Sequence, residues 1–190
     1  MSSARLFIAL PLGAEARSAA EANAVKWRQE LRFERWVHPL DWHITLKFLG
    51  DTPLHRIEPI AASLQETAAG FPCLKLITGE PRTFGRRDTP GVFWLGVEGD
   101  TERLAALRTE IEERMTVFGF EKEDRPFHPH ITLARRWRGP EPFERTLLQR
   151  HAFPSAAWNA GELVLYRTHL GKTPMYEAVR RFSFARTGEE

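Results

Sequence analysis

The chain has 190 residues, of which 42% are hydrophobic, 27% charged and 11% aromatic, the make-up of an ordinary globular protein and a poor fit to disordered or fibrous classes. Its formal net charge of +2 is too small for bulk coating of nucleic acid, and its single cysteine, Cys73, excludes an internal disulfide and a Cys-rich metal site. At this length a real core can be buried, near the boundary between one domain and two small lobes.

Residues 5–10 alternate Leu6, Ile8 and Leu10 with Phe7 and Ala9, a strand apolar on both faces. The apolar start, residues 6–12, is short and broken by Pro11, which favours this strand over an export signal. No segment has the length of a membrane span, and the lone thiol suits a reducing compartment, so the expected location is cytoplasmic. An Ala-rich helix follows over 15–31 and a connection over 32–39. Residues 42–49 alternate at period two, with His43, Thr45 and Lys47 on one face and Trp42, Ile44, Leu46 and Phe48 on the other.

Thr52 and Pro53 predict the cap and first turn of a helix ending near Ala69, followed by a strand over 73–78 that takes Cys73 as a small core residue. A polar loop with Arg86-Arg87 and Pro90-Gly91 leads to a strand over 92–97, and Asp100 caps a second long helix ending before Gly119. A second histidine strand runs into the basic stretch Arg135-Arg136-Trp137-Arg138. A short helix over 141–151 and a hairpin of 162–170 with 175–184 close the chain.

The tetrapeptide His-Ile-Thr-Leu occurs twice, at His43 and at His130, 87 residues apart (130 − 43). A chance second copy has odds of roughly one in a thousand at average residue frequencies. The order long helix, histidine strand, helix, strand also recurs. The expected architecture is α+β, one domain over residues 1–190 built of two interleaved, pseudo-symmetric lobes. Each lobe is a mainly antiparallel sheet with helices outside, and the sheets line a central cleft, with motifs at 43–45 and 130–132. Internal duplication predicts that a monomer suffices, with no obligate protein partner.

A lone strand histidine is more often structural than catalytic, and threonine is simply a good strand former. Recurrence of the pair at equivalent places reverses that balance. Two imidazoles facing one cleft can divide the acid and base roles, and two hydroxyls can donate to oxygens whose charge grows in a transition state. Lys47 and the arginines are expected to add positive potential for an anion, for which phosphate fits best. His128-Pro129-His130 imitates a metal-binding His-x-His, but no nearby Asp, Glu or Cys completes a ligand set, so no metal and no cofactor are expected. His38, His55, His151 and His169 lack a constellation and are read as surface or packing residues, while Pro39 and Pro129 set the approach of the chain to each motif.

The two motifs, with the opening "RLFIALPL", "FG" and a basic loop before "VFWLGV", "FHPHITLAR" and the closing "LVLYRTHLG" and "YEAVRRFSF", resemble the two-histidine (2H) phosphoesterase superfamily. The similarity is to its RNA 2′,3′-cyclic phosphodiesterases, also called 2′-5′ RNA ligases. It implies metal-independent hydrolysis of a terminal 2′,3′-cyclic phosphate to a 2′-phosphomonoester, and ATP-independent 2′-5′ ligation when an RNA 5′-hydroxyl takes part. The partners implied are RNA ends carrying a 2′,3′-cyclic phosphate or a 2′-phosphate. By that resemblance His43 and His130 are the proton donor and acceptor, Thr45, Thr132 and Arg135 bind phosphate, and Phe48 contacts the nucleotide. Phe48 and Arg135 each stand five residues past their histidine, which on a regular strand points to the opposite face. Competing expectations are a phosphodiesterase for another small cyclic nucleotide and a non-catalytic RNA-end-binding protein.

Overall fold

Alternation at period two is what builds the sheet of the computed structural model, which describes residues 2–150 and 155–185. The elements are β1 (Ser3–Pro11), α1 (Ala14–Glu30), β2 (Phe33–Trp36), a 3-10 turn (Pro39–Asp41), β3 (His43–Pro53), a second 3-10 turn (Leu54–Arg56), α2 (Ile57–Ala69) and β4 (Leu74–Gly85). They continue with β5 (Pro90–Gly99), α3 (Thr101–Thr116), β6 (His130–Trp137), α4 (Thr146–Gln149), β7 (Ala157–Ala160), β8 (Glu162–Thr168) and β9 (Tyr176–Ser183).

The strands pair antiparallel in the order β7-β4-β5-β6-β3-β1-β8-β9, with β2 added to β6. Two four-stranded halves therefore meet at the histidine strands, one running β3-β1-β8-β9 and the other β6-β5-β4-β7. Their junction is a single pair, Ile44 with Ile131. Beyond it the free edge of β6 pairs with β2, from Ala134 to Trp137. The lobes are pseudo-symmetric about this junction, and each is completed by chain from elsewhere, since β8 and β9 pair onto β1 and β7 onto β4.

The double-sided apolar pattern of β1 divides between two clusters. Leu6, Ile8 and Leu10 join the main core with Trp27 of α1, Leu64 of α2 and Leu104, Leu107 and Ile111 of α3. Phe7 and Ala9 join Val164 and Tyr166 in a smaller cluster on the opposite face. Burial of each large aliphatic side chain contributes roughly 1.5–3 kcal/mol, so the helix-covered face carries the stability. The other face is left to the cleft.

Several boundaries differ from the sequence expectation for local reasons. Residues 33–36, expected to be connection, form β2 because β6 has an open edge there. Thr52 and Pro53 do not start a helix: they pair with Ala4 and Ser3, the Thr52 hydroxyl donates to the Gly50 carbonyl, and α2 begins only after the turn Leu54–Arg56. Asp100 is the N-cap residue of α3, its carbonyl accepting the Leu104 N–H, but its carboxylate makes no cap bond and accepts instead from the Lys75 backbone N–H at 2.9 Å. β4 runs on past Pro81, where a register shift accommodates the ring. The expected helix over 141–151 is reduced to the single turn of α4, and His151 lies outside the described residues.

Candidate active site

The junction pair fixes the site. Ile44 and Ile131 are 1% and 0% exposed and point into the core, so their neighbours on either side point into the cleft. Continuing the antiparallel register places His43 opposite Thr132 and Thr45 opposite His130. The four side chains thus surround the pseudo-dyad, with the two histidines as diagonal neighbours at about 7–8 Å between backbone positions.

Both strands then change face at the same place. In β3 the partners of β1 shift between Thr45 and Lys47, leaving Leu46 as the extra residue. In β6 the partners of β5 shift between Thr132 and Ala134, leaving Leu133. A bulge inserts one residue and inverts the alternation beyond it. Phe48 and Arg135 consequently rejoin the face of their histidines, which removes the objection that regular alternation raised.

The same bulge corrects the expectation for Lys47. It turns away from His43 and Thr45, is 4% exposed, and gives its ammonium to Glu112 of α3 at 2.5 Å and to the Glu121 carbonyl at 2.8 Å. Arg108 reaches the other oxygen of Glu112 at 3.3 Å. Lys47 therefore ties a histidine strand to a helix and offers no charge to a ligand in the cleft.

Each histidine is oriented by the carbonyl two residues before it. His43 Nδ1 lies 2.6 Å from the Asp41 carbonyl and His130 Nδ1 lies 2.7 Å from the His128 carbonyl. A carbonyl only accepts, so the proton sits on Nδ1 and each Nε2 is left as the acceptor. The Thr45 hydroxyl donates to His43 Nε2 at 2.9 Å. Burial pushes His43 down to about 4, opposed by the Asp41 carbonyl and charge, while the nearby His130 and Arg135 add to the depression. Burial also lowers His130, again against its carbonyl bond, with Arg135 and His128 lowering it further. Aromatic walls cause that desolvation. Phe7, Tyr166 and Tyr176 surround His43 with centroids at 4.9, 6.1 and 5.2 Å, and Phe84 and Trp94 flank His130 at 5.1 and 5.6 Å.

Asp41, Tyr166, Tyr176, Phe84 and Trp94 were not singled out from the sequence. Asp41 is 6% exposed, and its carboxylate accepts the backbone N–H groups of Met175 at 2.7 Å and Tyr176 at 3.1 Å. The signal available was position alone, a carboxylate two residues before the histidine in only one copy of the motif. His38 caps the turn before β3 by accepting from the Leu40 N–H, and His169 pairs with Glu177, in line with structural readings. His55 lies in the Leu54–Arg56 turn.

The two mouths of the cleft differ chemically. One, a cavity of about 500 Å³, is lined by the rings of Phe48, Phe84, Phe127 and His130 together with Arg125 and the ion-paired Lys47, Arg108 and Glu123. The other is small and is lined by Arg35, Arg135, Lys172, Asp41 and Tyr176. Among the described residues no group of three His, Cys, Asp or Glu side chains is placed to hold a metal ion, and no helix is long and apolar enough to cross a membrane.

A family model described as the 2′-5′ RNA ligase superfamily matches residues 15–172. The chain is 38% identical to an RNA 2′,3′-cyclic phosphodiesterase of Geobacillus stearothermophilus over all of its own length and 62% of that relative's. It is 34% identical to one of Bacillus subtilis, covering 86% of the chain and 87% of the relative, and 32% identical to one of Thermotoga maritima, covering 95% of each. Among solved structures, TT0787 of Thermus thermophilus superposes with a TM-score of 0.73 at 29% identity, covering 96% of this chain and 99% of that one. E. coli LigT complexed with 3′-AMP superposes with a TM-score of 0.72 at 25% identity, with coverage of 96% and 99%. With its two lobes, its paired motifs and these relatives, the chain belongs to the 2′-5′ RNA ligase superfamily.

Proposed function

We propose that the protein is a phosphodiesterase that opens the 2′,3′-cyclic phosphate at an RNA end to a 2′-phosphomonoester, with His43 and His130 as its acid–base pair. The observation that carries this reading is the square of His43, Thr45, His130 and Thr132 on one face of the strand junction. The relatives' names supply the reaction; the square supplies its means.

In this reading a water oxygen attacks phosphorus while His43 Nε2 takes the water proton, and the bond from phosphorus to the 3′ oxygen breaks as His130, protonated, gives its proton to that oxygen. The more strongly depressed His43 suits the base, because it is held neutral at pH 7. His130 gains its proton beside the phosphate anion, whose charge offsets the cost of burying an imidazolium. With substrate bound the Thr45 hydroxyl turns from His43 Nε2 to a non-bridging oxygen, which frees that nitrogen for the water proton. Thr132 donates to the other oxygen, and Arg135 adds positive charge from the end of β6. Phe48 and the apolar mouth receive the terminal nucleoside. A cyclic diester already holds attacked atom and leaving group together, so positioning and proton transfer suffice without a metal. With an RNA 5′-hydroxyl in place of water, the same displacement yields a 2′-5′ linkage without ATP, and in the reverse step the histidines exchange roles. Both lobes contribute to the site within one chain, so a monomer is sufficient and the chain acts as one two-lobed unit.

The test is product analysis on an oligonucleotide ending in a 2′,3′-cyclic phosphate, with EDTA present. A 2′-phosphate end is the expected product, abolished in His43→Ala and His130→Ala while circular dichroism stays unchanged. A 3′-phosphate product, or dependence on an added divalent metal, overturns the mechanism. Absence of turnover on any cyclic phosphate, with RNA ends still bound, makes the protein an RNA-end binder instead.

A further inference from the structure

β2 sets Arg35 directly opposite Arg135 of β6. Directly opposed side chains leave a sheet on the same face, and like charges there repel. The alternation agrees: Trp36 and its partner Ala134 pack into the core, so Arg35 and Arg135 face the cleft. The arginines just beyond are neutralised, Glu34 taking Arg136 at 3.1 Å and Arg138 at 2.8 Å. Arg35 and Arg135 have no such carboxylate among the described residues. Among the described residues the Arg35 guanidinium makes one bond, to Met175 Sδ at 3.1 Å, a weak acceptor. Asp41 lines the same mouth, but both of its oxygens accept backbone N–H groups of the β8–β9 hairpin. From the tip of that hairpin Lys172 brings a third cation to the same mouth.

Three cations around one small opening outnumber its single carboxylate, Asp41, and Lys172 has only the longer-range charge of Glu177 beside it, so the mouth keeps a positive excess that an anion relieves. The pseudo-symmetric mouth, past Phe48, adds aromatic rings, and two of its three cations, Lys47 and Arg108, are held by Glu112 and Glu123. Arg135 stands three residues past Thr132, roughly 10 Å along a strand. Arg135 still reaches both histidines electrostatically, whereas neither Arg35 nor Lys172 is among the charges that act on them, so these two serve an anion other than the phosphorus between the histidines. We infer that Arg35 and Lys172, with Arg135 bridging to the reacting centre, hold a second RNA phosphate, the phosphodiester neighbouring the reacting group, and make the enzyme prefer polynucleotides over cyclic mononucleotides. This inference rests on the phosphodiesterase reading above and names its substrate class.

The experiment compares kcat/KM on a nucleoside 2′,3′-cyclic phosphate with that on a dinucleotide ending in the same cyclic phosphate. A second arm supplies the cyclic mononucleotide with a 5′-hydroxyl oligonucleotide and measures ligation. The wild type should favour the substrate bearing a second phosphate by about tenfold or more in at least one arm. The first arm identifies that phosphate as the substrate strand's own, the second as the incoming strand's. Arg35→Gln and Lys172→Gln should each bring the ratio towards one and flatten the dependence of log kcat/KM on log salt by about 0.7 per lost contact. Arg35→Lys should restore part of the ratio. Arg138→Gln removes equal charge outside the mouth and should leave the ratio where it was. Turnover of both substrates with equal kcat/KM, or a ratio indifferent to Arg35, sinks this inference and spares the phosphodiesterase. Absence of turnover on every cyclic phosphate sinks both.

Discussion

Asp41 holds His43 through its main chain and the β8–β9 hairpin through its side chain: its carbonyl accepts His43 Nδ1–H at 2.6 Å while its carboxylate accepts Met175 and Tyr176 N–H at 2.7 and 3.1 Å. Asp41→Ala orphans two backbone donors and releases the segment that aims the ring. Loss of a buried hydrogen-bond partner costs about 1–3 kcal/mol, so the variant should lose about 2–4 kcal/mol in urea denaturation. Its kcat should fall about ten- to a hundredfold with a smaller change in KM. Asp41→Asn keeps an acceptor and should fall between. An Asp41→Ala variant with wild-type kcat would show that the clasp does not position His43.

Burial of His43 makes stability depend on pH. The unfolded chain takes a proton on this ring near 6.5 and the folded chain only near 4, so between these values the unfolded state binds more protons. Stability should therefore be full above about pH 6.5 and fall as the pH drops towards 4, by about 3 kcal/mol in order of magnitude. His43→Gln should flatten that part of the curve. Thermal melts of both proteins at several pH values between 4 and 7.5 make the comparison, and parallel curves would show that His43 is not the source.

The Lys47–Glu112 pair is buried at both ends, 4% and 5% exposed. Removing Lys47 leaves the buried Glu112 carboxylate with Arg108 as its remaining cation, so Lys47→Met should destabilise by up to about 3 kcal/mol, the lower end for a broken buried pair. The double variant Lys47→Met with Glu112→Gln should recover a large part of the loss. At a temperature where the single variant remains folded, its kcat should be close to wild type, because the ammonium is turned away from the cleft. A large loss of kcat in the folded variant would return Lys47 to the phosphate site.

Phe48 is 67% exposed, so Phe48→Ala should shift stability by no more than about 0.5 kcal/mol. A stacked base is worth about 1–3 kcal/mol, which predicts a rise of roughly tenfold in KM for the cyclic phosphate. Unchanged KM would remove the ring from the nucleoside site.

The repeated His-Ile-Thr-Leu, the period-two runs and the composition of the long helices were all legible in the chain, because each is a local pattern that the backbone geometry of a strand or helix reads directly. They were sufficient for the α+β class, two lobes and the pairing of the motifs. Residues 33–36 were not legible as a strand, since their pairing depends on an edge of β6 nearly a hundred residues away. Lys47 was misplaced because a bulge is a relation between two strands and leaves no mark in the alternation of one.

What the sequence determined by itself was therefore which groups the proposed site brings together: two imidazoles and two hydroxyls, spaced to share a strand face. What only the tertiary structure decided was their arrangement and surroundings. The Ile44–Ile131 contact, the matched bulges after Thr45 and Thr132, the clasp of Asp41 on the hairpin and the unlike mouths of the cleft all join residues distant in the chain. Such contacts follow from packing and strand register, which the chain settles only when its lobes close around a common core.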